Sequence, residues 1–194
     1  MSLLILEGLT GAGKSSTLAE LKTLIEASGQ RLKIFYEEES FGELMEELAV
    51  AGGTFAGLCH RLEEILERLP ELSADWVILE RFHPSYYALC PDWELYRQID
   101  DRLAQLQTRL VLLSYPEALA HARALYRSER EAEGWSAGFI ARYGSETLAL
   151  DALHSSLRLR AEAVSLSRLQ TLTIDTSDQD WQGAARRILD WAAA

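Results

Sequence analysis

Gly8-Leu9-Thr10-Gly11-Ala12-Gly13-Lys14-Ser15 fills every fixed position of the pattern G-x-x-x-x-G-K-[ST]. An apolar, strand-like run from Leu3 to Leu6 leads into it and a helical pattern follows at once. Residue types in that order suit one task, the wrapping of a phosphate chain. Gly8, Gly11 and Gly13 let the backbone turn its N–H groups inward onto an anion, at the positive end of the helix that begins near Lys14. Ala12 and Ser16 continue the cradle on either side of Lys14 and Ser15. Lys14 adds a mobile point charge for the β- and γ-phosphates, and the Ser15 hydroxyl can ligate Mg²⁺. A glycine-rich turn that binds nothing would account for the glycines but not for Lys-Ser at the helix start.

Three further groups could do chemistry. Glu37-Glu38-Glu39 follows a short strand-like run from Leu32 to Tyr36, which places it at the edge where open parallel sheets bind ligands. Acidic residues there suit a solvated turn before a helix, or else Glu37 or Glu38 points inward to orient or deprotonate a phosphoryl acceptor. Glu80-Arg81 ends the apolar run Trp76–Leu79 at the same edge. A carboxylate beside the loop can hold the water shell of Mg²⁺, and an arginine can clamp a phosphate or hydroxyl; the plainer alternative is an ion pair between the two. Arg123, Arg127 and Arg130 stand at spacings of four and three, which lays like charges along one face of a helix starting near Pro116. That is costly unless an anion is near, and Gly134 beyond it offers a place to bend.

The elements that must position these groups alternate. Helical spacing of Leu18, Leu21, Leu24 and Ile25 predicts a helix over 14–28, and a short helix over 42–50 breaks at Gly52-Gly53. Leu58 to Leu69 forms another that Pro70 ends, and Leu95, Ile99, Leu103 and Leu106 mark a fourth after Pro91-Asp92. Leu110–Leu113 reads as a strand, Leu150 to Val164 as a long helix, Leu169–Ile174 as the last strand and Asp180–Ala193 as the closing helix. Five strands alternating with helices predict an α/β fold, a five-stranded parallel sheet with helices on both faces, and a small arginine-rich lid over about 123–137. One domain spanning 1–194 is expected, with no internal repeat or linker.

Composition narrows the function. A formal charge of −11 argues against nucleic acid polymers and anionic membrane surfaces as partners, so a phosphate site must be a local basic pocket. Cys59 and Cys90 lack metal-ligand spacing, no leader is evident and no apolar run approaches the ~20 residues of a membrane span, so a cytoplasmic protein is expected. A homodimer is left open. Asparagine is absent, so the N-K-x-D motif of P-loop GTPases cannot be present.

The chain resembles the P-loop thymidylate kinases and, more loosely, the deoxynucleoside kinases. EGLTGAGKSS is similar to the family's P-loop with its preceding glutamate, EEESFGELMEEL to its E-P-G segment, and VILERFHPSYYA to its D-R-[YFH]-x-x-S segment. TRLVLLSYPEALAHAR and RALYRSERE resemble the strand, helix and arginine-rich lid that follow. The resemblance implies that Lys14 and Ser15 serve ATP and Mg²⁺, that Arg81 serves the acceptor's phosphate or sugar end, and that Glu37 or Glu38 serves the acceptor or its metal. It further implies lid roles for Arg123, Arg127 and Arg130, and base stacking for Phe55. The family's E-P-G is Glu-Glu-Ser here, its D-R is Glu80-Arg81, and the arginine one turn after the stacking phenylalanine falls on Cys59, with Arg61 displaced. These departures leave the ATP side intact and open the identity of the acceptor. The expected function is an ATP-dependent kinase of a nucleoside or nucleoside monophosphate; a kinase of a sugar, antibiotic or other metabolite and an ATP-dependent switch protein are the alternatives.

Overall fold

Strand β1 (Ser2–Gly8) is apolar from Leu3 to Leu6 because it is the middle of a sheet covered on both sides. Its side chains alternate all the same: Leu4 and Leu6 enter one core, Leu3 and Ile5 the other. The computed structural model describes residues 1–39, 55–126 and 134–193, the side chains of 55–58 excepted.

The remaining strands are β2 (Leu32–Phe35), β3 (Trp76–Glu80), β4 (Arg109–Ser114) and β5 (Gln170–Asp175). They pair in parallel in the order β2-β3-β1-β4-β5, so the expected five-stranded parallel sheet is present. The register sets Leu6 opposite Glu80, which brings the loop after β1 and the turn after β3 to the same edge.

Helices α1 (Lys14–Ala27) and α7 (Trp181–Ala193) contribute Leu18, Leu21, Ile25, Ala184 and Ile188 to the core on one face. On the other face lie α2 (Phe55–Arg68), α3 (His83–Tyr87) and α4 (Glu94–Gln105), which bury Leu62, Ile65, Leu66, Tyr86, Tyr96, Ile99 and Leu103. Helices α5 (Trp135–Tyr143) and α6 (Glu146–Leu166) meet at Gly144, whose φ of 85° ends α5, and the Ser145 hydroxyl accepts the Leu148 N–H to start α6. Among the described residues no helix is long and apolar enough to cross a membrane.

One expectation needs correction. The helix beginning at Pro116 is not a continuous α-helix: a 3₁₀ turn at Glu117–Leu119 passes into a wide π-wound turn at His121–Leu125, which ends at Tyr126. Wide winding, closed by the Tyr126 N–H to the His121 carbonyl, lets the consecutive residues Ala124 and Leu125 both enter the core. Arg123 therefore does not sit on the α-helical face that its spacing predicted. The short helix expected over 42–50 lies outside the described residues.

Candidate active site

The loop after β1 is shaped by two left-handed glycines, Gly11 at φ 80° and Gly13 at φ 84°. Both are also packed from outside. A Cβ on Gly11 would lie 2.2 Å from the Arg123 carbonyl oxygen, and one on Gly13 would lie 2.0 Å from the Trp181 ring. Only glycine meets the backbone and the packing demand together. The Tyr115 hydroxyl donates to the Thr10 carbonyl at 2.7 Å and steadies the loop's tip. Gly8 closes against the Leu113 carbonyl of β4, Ala12 is fully buried, and Ser16 follows Ser15 in the first turn of α1.

Lys14 is buried, which corrects its reading as a freely mobile charge. Burial, and after it the positive charge of Arg81, pulls its ammonium pKa down to about 7 against the opposing influence of Glu37, Glu7 and Glu80. The Arg81 Nε lies 2.8 Å from Glu37 Oε2, so Arg81 pairs across the cleft with the end of β2. Arg81 takes a left-handed φ of 57°, uncommon for a residue with a long side chain, and its N–H donates to the Leu6 carbonyl at 3.1 Å. Glu80 accepts the Glu37 N–H at 3.4 Å, and burial raises its carboxyl pKa, Lys14 opposing the rise. The loop, the β2 end and the β3 end thus converge on one point.

Beneath that point lies a sealed network that the sequence reading did not assign. Glu7 Oε1 accepts the Gly8 N–H at 2.9 Å, and Arg160 Nε of α6 donates to it at 3.0 Å. The Ser85 hydroxyl of α3 lies 2.8 Å from both Glu7 oxygens. Burial alone would raise the Glu7 pKa, but Arg160 and then Arg81 outweigh it and hold the carboxyl below its usual range. Arg160 Nη1 also donates to the Ser156 carbonyl at 3.2 Å, one turn back along α6. Arg160 interrupts the apolar stripe of that helix, and this interruption was the available sequence signal.

The other predicted residues divide. Glu38 joins Ser15, Lys22, Tyr36, Glu37 and Glu80 around a cavity of about 450 Å³, whereas Glu39 turns back to Lys33 at 3.3 Å. Of the three glutamates, Glu37 and Glu38 face the cleft. Arg61 reaches Glu64 at 3.1 Å and the Glu39 carbonyl at 3.2 Å, tying α2 to the end of the β2 segment. Arg123 donates to the Thr176 carbonyl at 2.8 Å, and its guanidinium carbon lies 4.8 Å from the Tyr115 ring and 5.7 Å from Trp181. It therefore sits against the outer wall of the loop. Arg127, Arg130 and the Phe55 side chain lie outside the described residues.

No family model matches the chain, and no curated protein matches it in sequence. Solved structures do match. The YorR protein of Bacillus subtilis, solved in complex with phosphorylated GDP, is similar with a TM-score of 0.63 and 18% identity over 99% of this chain and 96% of that one. Shikimate kinase from Acinetobacter baumannii, in complex with shikimate, is similar with a TM-score of 0.58 and 18% identity over 98% and 92%. The fold is that of the P-loop kinases. At that identity the likeness speaks for the fold alone.

The residues present fit a Mg²⁺–nucleotide. The left-handed glycines give the loop the turn by which amides can face an anion, Lys14 is buried beside it, and Ser15 and Glu80 share a cavity wall. Among the described residues no group of three or more His, Cys, Asp or Glu could hold a metal by itself. A divalent ion would therefore depend on Ser15, Glu80 and the phosphates of the nucleotide.

Proposed function

We propose that the chain is an ATP-dependent phosphotransferase that moves the γ-phosphoryl group to a nucleoside or nucleoside monophosphate, as in the thymidylate kinases it resembles. The observation that carries this reading is the convergence of Lys14, Glu80 and the Glu37–Arg81 pair beside one glycine loop. Loop amides and Lys14 neutralise the β- and γ-phosphates, and Ser15 with Glu80 would hold a Mg²⁺, whose charge would offset that of the departing ADP. Arg81 releases Glu37 for an incoming phosphate or transferring group. With a nucleoside acceptor, Glu37 or Glu38 takes the hydroxyl proton as the new O–P bond forms and the β–γ bridging bond breaks. With a monophosphate acceptor no base is needed, and Arg81 clamps the acceptor phosphate instead. Arg123 flanks the nucleotide beside the loop, while Arg127 and Arg130 close a lid that excludes water; Arg61 and Phe55 border the acceptor.

A non-nucleotide acceptor is the second reading, favoured by the likeness to a kinase solved with shikimate. Acceptor-dependent ADP release, measured over a panel of nucleosides, monophosphates, sugars and hydroxy acids, separates the two. Turnover with a nucleoside or monophosphate supports the first, turnover only with the other acceptors supports the second, and ADP release that no acceptor raises overturns both. Lys14→Ala should lower kcat by about 10²–10³ in a folded protein.

A further inference from the structure

At the opposite edge of the sheet from the loop is a cavity of about 410 Å³, bordered by the starts of β1, β4 and β5 and by the end of α4. Arg109 and Arg168 line it together with Gln107, Thr108 and Gln170, and no acidic residue does, in a chain of formal charge −11. Seven residues of β1 separate it from the phosphate loop, roughly 20 Å at the usual strand rise.

Its wall holds polar atoms with no partner in the protein. Thr108 is 2% exposed, and its hydroxyl is enclosed without a hydrogen bond. The adjacent Arg109 Nε is enclosed and without one as well. Buried polar groups are nearly always paired, so two such atoms on consecutive residues of one cavity wall point to a missing acceptor. The guanidinium carbon of Arg109 lies 5.9 Å from the Trp191 ring, which fixes the group by cation–π contact and leaves its N–H donors free.

The end of α4 does not oppose an anion there. Its last carbonyls are taken up: the Gln107 N–H donates to Ala104 and the Thr108 N–H to Leu103, each at 3.0 Å. Gln107 adopts a left-handed φ of 55° to make that closure. Two carboxylates beside the cavity are already paired, one of them with the cavity's own Arg168. Asp101 holds one nitrogen of Arg168 at 2.7 Å, and Asp100 is occupied by His83, Ser167 and the Arg168 N–H.

We propose that this cavity is a second binding site, separate from the phosphate loop, for a small oxyanion: the carboxylate or phosphate group of a metabolite. Arg109 and Arg168 supply positive charge, and the Thr108 hydroxyl and Arg109 Nε, enclosed in the wall, become donors once their side chains turn into the cavity.

Residue-resolved amide NMR of the wild-type protein, titrated to millimolar inorganic phosphate and separately to succinate, tests the site. Saturable shifts at Gln107, Thr108, Arg109 and Gln170 with either anion are the expected result, and the anion that binds tells phosphate from carboxylate. Thr108→Val, nearly isosteric, should weaken those shifts about tenfold while the Gly11–Ser15 amides respond to phosphate as before. Arg168→Gln provides a solvent-exposed second variant and should weaken the same site. Shifts confined to the phosphate loop, no shifts at all, or an unchanged titration in both variants would overturn the proposal. The titration requires no turnover, so its outcome is independent of the kinase reading.

Discussion

Glu7–Arg160 and Glu37–Arg81 are the same chemical pair on two sides of one loop. The side chains of the first are 0% and 6% exposed, and the carboxylate is enclosed by the Gly8 N–H and the Ser85 hydroxyl. In the second, Arg81 is 8% exposed but Glu37 is 37% exposed and borders a cavity. A sealed pair cannot exchange its partner without stranding a charge, so it holds structure: β1, α3 and α6 are tied together at Glu7. An open pair gains little net stability, and its arginine can leave one carboxylate for a phosphate at small cost. The two arginines are equally buried, so it is the exposure of the carboxylate partner that, on the proposed function, separates the arginine that holds structure from the one that meets substrate.

Arg160→Met tests this hardest. It should cost about 3–5 kcal/mol in denaturant unfolding by leaving Glu7 buried without its countercharge, and Glu7→Gln added to it should recover most of that loss. A near-neutral Arg160→Met would break the comparison. On the open side, Arg81→Lys should raise the acceptor KM about tenfold through loss of the guanidinium fork, with stability changed by less than about 1 kcal/mol. Equal unfolding losses at Arg81 and Arg160 would erase the distinction.

Lys14, between the pairs, sharpens it further. Its pKa of about 7 in the free protein rises when phosphate oxygens arrive, so binding takes up a proton. The ATP Kd should accordingly increase above pH 7, by up to about tenfold per pH unit, and calorimetry in buffers of different ionisation enthalpy should register the proton. Smallest of all, Glu80→Gln should raise the Mg²⁺ concentration for half-maximal rate about threefold, since the phosphates supply most of the metal's ligands. A larger change in acceptor KM than in Mg²⁺ requirement would move Glu80 from the metal to the acceptor.

What could be read in advance was local. The glycine loop, the unbroken apolar strand before it and the acidic ends of β2 and β3 are written in runs of a few residues, and they occupy the sheet edge where the pattern put them. Arg160 meets Glu7 across 153 residues of chain, a separation that no periodicity encodes. The spacing of Arg123 misled for a physical reason, because burying Ala124 and Leu125 together outweighed regular α-helical winding. Which acidic residue would take Arg81 was equally hidden, since it depends on β2 lying beside β3.

Trp181 against Gly13 also bears on how the molecule comes into being. The loop is translated before β3, Arg123, Arg160 and Trp181, the parts that wall it, which leave the ribosome progressively later. A nascent chain halted before α7 would carry the complete glycine motif and still lack one side of its mould. The glycine motif thus takes its final shape only after α7, made about 170 residues later, has packed against it.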